Sequence, residues 1–335
     1  MTYSLSAVPG SGLSEREYLQ FRGGVQALLA GALGVSGLIV ESATRYLDGF
    51  SWETWHVVVA VAAGDTRQYV VRRMPRSGLL DTYDVEQQWH LHRAIAGIPG
   101  VPVPKALLVD TDGAATGRPL FLMDYIPGAV PTPQTMGALV PHKADRISLI
   151  HQLATIAAAI HSAPVSHLPA DLRGRAASGL TAEVAYWERA YRRDRQAPIP
   201  ILDWAFAWLR RNEAMVSGRA ALVHGDLRVG NFVVSRQNTI SAVLDWEGAH
   251  VGDPVEDLAN CCMRLHGGGP DTVSGVIGVQ EFLRAYERVA GWSVPHATFN
   301  YWRIFCDMRS AIVFITAARS CLLYTSDAAD DLTRV

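Results

Sequence analysis

The stretches LVHGDLRVGNF at residues 222–232 and AVLDWE at residues 242–247 decide how this sequence is interpreted. Asp226 lies in the first stretch with Asn231 five residues later, and Asp245 ends the β-rich run of the second. Phosphoryl transfer from a nucleotide needs a carboxylate that orients the acceptor and hard oxygen ligands for magnesium, held around the phosphate by the backbone. An aspartate, an asparagine and a second aspartate at this spacing supply those groups, so the pattern indicates a kinase-type site.

The composition of the chain changes from strand formers to helix formers at Ile126-Pro127-Gly128. Before that point, the turn pairs Asp48-Gly49 and Gly64-Asp65 separate β-rich runs, as expected for an antiparallel meander. The predicted strands cover residues 38–47, 55–63, 68–73, 103–109 and 118–125, with helices over 14–33 and 82–97. Beyond it, helical apolar spacing predicts helices over 144–163, 181–193, 201–211, 255–265, 278–290 and 297–318, and one hairpin at 232–235 and 240–244. We predict an α+β protein with a small antiparallel β-sheet N-lobe, residues 1–125, and a mostly helical C-lobe, residues 126–320.

Composition and charge exclude several classes of protein. The 335 residues carry 30 basic and 32 acidic side chains, and a net charge of −2 provides no field that recruits nucleic acid or an anionic membrane surface. The longest nearly apolar run, residues 27–40, has 14 residues, whereas a membrane helix needs about 20. The first residues lack a signal-peptide pattern, and the four cysteines form neither a disulfide framework nor a zinc motif. We predict a cytoplasmic protein that binds neither nucleic acid nor membrane; its oligomeric state is left open.

Three motifs together resemble a known family. His224-Gly225-Asp226 with Asn231, then Asp245-Trp246-Glu247, then GDPVEDLA at residues 252–259 are similar to the aminoglycoside phosphotransferase-like family of small-molecule kinases, which is related to choline kinases. That family shares the bilobal protein-kinase-like fold. The resemblance implies an ATP-dependent phosphotransferase that moves the γ-phosphate to a hydroxyl group of a small molecule and uses Mg²⁺.

The resemblance also implies roles for the carboxylates and the asparagine. Asp226 would orient the acceptor hydroxyl or accept its proton, and Asn231 and Asp245 would ligate magnesium. Glu247 would add a second metal contact if the strand persists beyond Asp245, because alternate strand residues share a face. A structural glutamate in a salt bridge is the alternative for Glu247.

Three further residues complete the catalytic segment. The family role of His224 is an orienting hydrogen bond that holds the loop, and Arg228 is assigned to the same catalytic set. Asp257 resembles the structural acid that braces the catalytic loop in this family.

The nucleotide side of the resemblance lies in the predicted N-lobe. The segment GFSWET at residues 49–54 occupies the strand-turn-strand position that covers the nucleotide phosphates, with Ser51 and Trp52 as contacts, although it lacks the several glycines of protein kinases. The segment FLMDYIPG at residues 121–128 resembles the hinge. Its backbone from Asp124 to Ile126 would bind the adenine edge, and Met123 would pack behind the ring.

Arg72 stands where the family usually has a phosphate-binding lysine. Arginine keeps the positive charge and binds phosphate oxygens in a bidentate manner, and the kinase-like modules fused to some acyl-CoA dehydrogenases look similar here. Glu86 is the predicted ion-pair partner of Arg72. Pairing of Glu86 with His90 or Arg93 on its own helix face is the alternative.

The fold does not name the acceptor, because the family phosphorylates aminoglycosides, macrolides, choline, homoserine, sugars and hydroxy acids. The insert at residues 183–211 carries six arginines and four acids together with Trp187, Tyr191, Trp204 and Trp208, which favours a neutral or anionic acceptor with apolar bulk over a polycationic one. A packed core with a solvated arginine face is the alternative. The segment GLLDTYD at residues 78–84 resembles the dehydrogenase-associated branch. An aminoglycoside or macrolide kinase, a choline- or ethanolamine-type kinase and a catalytically weak nucleotide-binding module stay open, as does ATP against GTP.

The last 15 residues, 321–335, differ from the rest of the chain. The run CLLYTSDAADD at residues 321–331 resembles the translation of a transposon-end adapter used in sequencing libraries. We predict a non-native tail there. A genuine acidic tail is the alternative.

Overall fold

The computed structural model describes residues 13–46, 51–61, 64–76, 83–170, 172, 179–269 and 271–332, with side chains described up to residue 319. The turn pair Asp48-Gly49 and residues 78–82 therefore lie outside the described residues. Contacts divide the chain into two compact units, one of Met1–Arg93 with Pro104–Ile126 and one of Ala94–Val103 with Pro127–Val335. The assignment of nucleotide and acceptor roles to residues 1–125 and 126–320 stays a prediction.

The first unit contains a five-stranded antiparallel sheet in the order β1-β2-β3-β5-β4. Its strands are β1 Ile39–Tyr46, β2 Glu53–Val61, β3 Asp65–Arg73, β4 Ala106–Asp110 and β5 Leu120–Asp124. It also contains helix α1 Glu15–Leu33 and, up to Arg93, helix α2 Val85–Ile95. Alternate residues of β2 are buried, and Trp55 and Val57 share a core with Phe21 and Val25 of α1. The predicted meander is confirmed, since β2 pairs antiparallel with both β1 and β3.

The second unit is mostly helical. Its helices are α3 Met136–Leu139, α4 Lys143–His161, α5 Ala182–Asp194, α6 Pro200–Arg211, α7 Val255–Cys261, α8 Val279–Ala290 and α9 His296–Leu332. Its short strands pair as β6 Ala221–Val223 with β9 His250–Gly252, β7 Phe232–Val234 with β8 Ile240–Val243, and β10 Thr272–Val273 with β11 Ile277–Gly278. Helix α4 packs against α8, and α7 packs against α9. Helix α4 also contacts β6 and β8, which belong to the two strand pairs on which the candidate site is built.

The predicted helices and the β7–β8 hairpin are confirmed, whereas the β6–β9 and β10–β11 pairs were not predicted. Strands of two or three residues are too short to show alternation, so the sequence carries no signal for them. Helix α9 continues to Leu332, through most of the segment at 321–335 whose non-native origin stays a prediction. In the part of the chain that the structure describes, no helix is long and apolar enough to cross a membrane.

Candidate active site

Asp257 holds the loop that contains Asp226, between β6 and β7. Its fully buried carboxylate, in the first turn of α7, accepts hydrogen bonds from the backbone amides of His224 at 2.7 Å and Gly225 at 2.9 Å. It also accepts one from Nε2 of His161 at 3.1 Å. Desolvation opposes ionisation, but the hydrogen bonds from His161 and the loop outweigh it and lower the pKa of Asp257. These hydrogen bonds are the contacts that the predicted bracing role of Asp257 requires.

His224 is fully buried and uses both ring nitrogens within the protein. Nε2 donates to the carbonyl oxygen of Leu244 at 2.9 Å, and Nδ1 accepts from the backbone amide of Asp226 at 3.1 Å. The ring centroid lies 4.4 Å from that of Trp246. Because neither nitrogen is left over for proton transfer, the geometry fits an orienting role for His224 and no acid–base role.

Gly225 meets a steric requirement of the same loop. Its φ of +85° is a conformation that residues with a Cβ rarely adopt. A Cβ at this position would also overlap the carbonyl oxygen of Gly248. Only a glycine between His224 and Asp226 therefore allows this course of the loop.

Among the residues that the structure describes, three side chains donate hydrogen bonds to the carboxylate of Asp226. Nε of Arg228 lies 3.1 Å from Oδ1 and 3.0 Å from Oδ2, and Nδ2 of Asn231 lies 2.7 Å from Oδ2. Nδ2 of Asn260, in α7, lies 3.2 Å from Oδ1. Desolvation raises the pKa of Asp226, but the positive charges of Arg228 and Arg309 prevail and hold it below its ordinary value. The side chain is 36% exposed, so this oriented and ionised carboxylate can be reached by a substrate.

Asn231 and Asp245 lie at the two ends of the β7–β8 hairpin. Asn231 precedes β7 and its carbonyl oxygen accepts from the amide of Leu244 at 2.8 Å, so Asp245 follows directly beside it. Nδ2 of Asn231 donates to Asp226 at both the backbone oxygen, 2.8 Å, and Oδ2, 2.7 Å. This leaves Oδ1 of Asn231 as the side-chain atom available to a cation. Asp245 has a φ of +66°, a left-handed conformation that turns the chain out of the hairpin.

The structure corrects the premise behind Glu247 as a metal ligand. Strand β8 ends at Val243, and residues Trp246–Gly248 form a turn of 3₁₀-helix after the left-handed Asp245. Strand alternation therefore does not place Glu247 on the face of Asp245. Within the described ranges, no three His, Cys, Asp or Glu side chains cluster as a metal site of their own.

A buried polar network behind Asp226 was not predicted. Arg309 of α9 donates from Nη1 to Oε1 of Glu256 at 2.7 Å and from Nη2 to Oδ1 of Asn260 at 2.7 Å. Oε2 of Glu256 lies 3.2 Å from Nε2 of His250. Arg309 lies 83 residues after Asp226 in the sequence, so only the packing of α9 on α7 reveals its position.

His266 is a further residue that the sequence did not indicate. It is buried, and its Nε2 has no hydrogen-bond partner among the residues that the structure describes. Desolvation, reinforced by the positive charge of Arg228 and opposed by Asp226, lowers its pKa to about 4. His266 is therefore a neutral imidazole near Asp226 at physiological pH.

In the first unit, Trp52 is a core residue. It is 4% exposed and packs in a small cluster with Val85, Phe121 and Met123. The guanidinium carbon of Arg72 lies 5.8 Å from the Trp52 ring centroid. The structure therefore brings three predicted nucleotide residues, Trp52, Arg72 and Met123, to one face of the sheet. Ser51 precedes this cluster and is half-buried, whereas Gly49 and Phe50 lie outside the described residues.

Glu86 does not join that group. Its exposed carboxylate lies 3.7 Å from Nε2 of His90 on the same helix, which is the alternative that the sequence left open, and the structure does not pair it with Arg72. At the predicted hinge, Asp124 ends β5 and its amide donates to the carbonyl oxygen of Lys105 at 3.0 Å. Burial raises the pKa of the half-buried Asp124. Ile126 follows as a half-buried residue outside the sheet.

The motif geometry agrees with a comparison against protein families. A model of the phosphotransferase enzyme family, APH, matches residues 43–292. The chain belongs to the APH family. This assignment confirms the resemblance inferred from the catalytic motifs.

Curated relatives of this APH-family chain include larger proteins. It is 27% identical over 302 residues to acyl-CoA dehydrogenase family member 10 of Mus musculus, a match that covers 86% of this chain and 27% of the relative. The chain thus spans about a quarter of the length of that relative.

Solved structures confirm the α+β, protein-kinase-like fold. Macrolide 2'-phosphotransferase type I superposes with a TM-score of 0.64 at 20% identity, covering 93% of this chain and 98% of that one. A thermostable mutant of aminoglycoside phosphotransferase APH(4)-Ia, in ternary complex with AMP-PNP and hygromycin B, superposes with a TM-score of 0.54 at 17% identity, covering 91% and 99%.

Proposed function

We propose that the protein transfers the γ-phosphate of ATP to a hydroxyl group of a small molecule, with Asp226 as the residue that orients the acceptor. The observation that carries this proposal is the geometry of the Asp226 carboxylate, which is ionised, partly exposed and oriented by donors from its own loop and from α7. An ionised carboxylate only accepts hydrogen bonds, so it aligns the acceptor hydroxyl with its proton directed toward Asp226.

Asn231 and Asp245 fit a magnesium ion by their donor chemistry. Magnesium in phosphotransferases binds one or two side-chain oxygens and completes its shell with phosphate and water. Oδ1 of Asn231 is left over once its amide hydrogens are directed at Asp226, and Asp245 supplies a carboxylate at the adjacent hairpin end. Bound Mg²⁺ would neutralise charge on the phosphate oxygens. Arg228, which donates to Asp226 and is 28% exposed, adds a positive charge beside the acceptor.

We assign nucleotide binding to the first unit. Arg72 supplies a guanidinium for phosphate oxygens, and Met123 belongs to the apolar cluster at the end of β5. In the described part of the chain, the amide of Ile126 has no backbone hydrogen-bond partner, which suits an adenine edge. The AMP-PNP in the APH(4)-Ia complex supports a nucleotide as donor, and ATP is the donor we propose.

The contacts of the arginine-rich insert do not support the predicted preference for a neutral or anionic acceptor. Four of its six arginines pair with acids of the same segment, at positions 192, 193, 195 and 210. Tyr191 is fully buried, and the ring of Trp208 lies 6.0 Å from that of Tyr301. These contacts favour the packed-core alternative for the insert, so its composition does not select the acceptor.

A phosphotransfer screen tests the proposal. The wild-type chain is assayed with Mg-ATP and Mg-GTP against aminoglycosides, macrolides, choline, ethanolamine, sugars and hydroxy acids. We expect one acceptor class to be phosphorylated, and Asp226→Asn to lower kcat by about 100-fold or more, because a positioned base contributes about 10²- to 10⁴-fold. Asp203→Asn is the matched control, since Asp203 is an exposed aspartate whose partner is Arg195. Equal turnover by Asp226→Asn and wild type would refute the role of Asp226.

A catalytically weak nucleotide-binding module is the second candidate, favoured by one observation. The guanidinium of Arg72 is stacked toward Trp52, where a lysine would present a compact ammonium to phosphate. This candidate predicts that Mg-ATP raises the melting temperature of the protein while no acceptor is phosphorylated. It also predicts that Arg72→Lys gains turnover, whereas the first candidate predicts that it gains none.

A further inference from the structure

We propose that Asn260 is a positioning residue for Asp226, and that Arg309 of α9 fixes Asn260 in the orientation which that task requires. The proposal rests on the proposed function of Asp226. It adds a connection between the acceptor-orienting carboxylate and a helix whose sequence carries none of the family motifs.

The hydrogen bonds of Asn260 define one orientation of its amide. Nδ2 donates to Oδ1 of Asp226 and to the carbonyl oxygen of Leu227, both at 3.2 Å. Oδ1 accepts from Nη2 of Arg309 at 2.7 Å. A guanidinium only donates, so the amide oxygen must face Arg309 and the amide nitrogen must face Asp226. The opposite orientation would direct an oxygen at the Asp226 carboxylate and a nitrogen at the guanidinium.

Arg309 is itself held in place. It is 8% exposed and donates to Oε1 of Glu256 at 2.7 Å, and its guanidinium carbon lies 5.5 Å from the Phe305 ring centroid. Glu256 is fully buried and lies 3.2 Å from Nε2 of His250. Because a buried charge without a partner is strongly destabilising, this arrangement tolerates few alternatives. Arg309 can therefore act as a rigid support for Asn260.

Asn260 belongs to a different structural element from Arg228 and Asn231, the other two described donors to Asp226. Arg228 and Asn231 belong to the same loop as Asp226, and we assign them to charge neutralisation and magnesium. Asn260 is 1% exposed and belongs to α7, so it holds Oδ1 from outside the loop. A metal ion would take Oδ1 of Asn231 and leave its Nδ2 on Oδ2 of Asp226, so Asn260 is the donor that still holds Oδ1 when a substrate engages Arg228.

Steady-state kinetics on the full chain test the role, with the acceptor found in the screen or, without one, with Mg-ATP hydrolysis. We expect Asn260→Ala to lower kcat by about 10- to 100-fold and to change KM for Mg-ATP by less than about threefold, since an interaction that orients the base acts on the chemical step. Asn260→Asp keeps the acceptor for Arg309 but replaces the donor with a carboxylate, so it should lose at least as much. Arg309→Lys, which keeps the charge and one donor, should recover part of the activity lost in Arg309→Met.

Arg319→Met is the matched control on α9. Arg319 pairs with the buried Asp194 of α5, so its loss removes a comparable helix–helix ion pair. It should lower stability and leave kcat within about twofold of wild type. If it lowers kcat as much as Arg309→Met, or if Asn260→Ala leaves kcat unchanged, the positioning role is wrong.

A double-mutant cycle separates this proposal from the function on which it rests. If Asn260 acts through the Asp226 carboxylate, Asn260→Ala has little further effect on residual turnover in the Asp226→Asn background. Urea unfolding of the wild type, the two single variants and the double variant measures the coupling of the two side chains even if no turnover is found. Additive effects on both kcat and the urea midpoint would overturn the proposal, whereas inactivity of wild type with a non-additive midpoint would refute only the proposed function.

Discussion

The strongest pH dependence that we expect from this fold comes from His250. It is 2% exposed, and its two ring nitrogens lie 3.0 Å from the carbonyl oxygen of Gly248 and 3.2 Å from Oε2 of Glu256. Both partners accept, so both nitrogens must carry protons. Desolvation opposes the charged ring, but the carboxylates of Glu183 and Glu256 prevail and raise the pKa of His250 to about 9.

The size of the effect follows from that pKa. A shift from 6.5 to about 9 corresponds to about 3 kcal/mol, at about 1.4 kcal/mol per pKa unit. Because the folded state binds this proton more tightly than the unfolded state, the stabilisation is fully present below pH 6.5. It is lost progressively as the pH rises from 6.5 through 9.

Urea unfolding of the wild type and of His250→Gln, at several values from pH 6 to pH 9, measures this contribution. The difference in unfolding free energy between the two proteins should shrink by about 3 kcal/mol over that range. Subtraction of the variant removes the titration of other groups, including the buried thiols of Cys261 and Cys306, whose pKa values burial raises. Parallel pH profiles for the two proteins would show that His250 is not an imidazolium and would refute the reasoning.

Two further substitutions test the backbone arguments, each by urea unfolding. Gly225→Ala should destabilise the protein by at least about 2 kcal/mol and abolish phosphotransfer, because a positive φ is strained and its Cβ would overlap the carbonyl of Gly248. Gly31→Ala, on the open side of α1, is the control and should stabilise by about 0.5–1 kcal/mol; a stable, active Gly225→Ala would contradict the loop geometry. Ser14→Ala should cost about 1 kcal/mol, since Ser14 and Glu17 form a capping box at the start of α1, and an unchanged urea midpoint would speak against that cap.

Most of the fold could be predicted because its elements are long or marked by turns. The helices of eleven or more residues and the meander of the first unit show clear periodicity, and the β7–β8 hairpin surrounds a polar turn. The β6–β9 pair could not be predicted, since three-residue strands carry no period. That pair nevertheless positions the catalytic loop.

The candidate site was predicted where chemistry is local in sequence. His224, Asp226 and Asn231 lie within one loop, and the structure joins them by hydrogen bonds. The ligand role of Glu247 rested on a continued strand, and the left-handed backbone of Asp245 ends that strand. Strand alternation in a sequence does not reveal that one residue has a left-handed backbone. The metal-ligand interpretation of Glu247 could therefore be corrected only by the structure.

The residues that the sequence did not indicate share a physical reason. Asn260 and Arg309 act through one fixed amide orientation, which depends on two helices that meet only in the folded chain. The acceptor-orienting carboxylate is thus supported from α7 and α9, whereas the arginine-rich insert neutralises most of its own charge. It follows that substitutions on the face of α9 around Arg309 should act on Asp226 through Asn260, whereas substitutions of the arginines that pair within the insert should not.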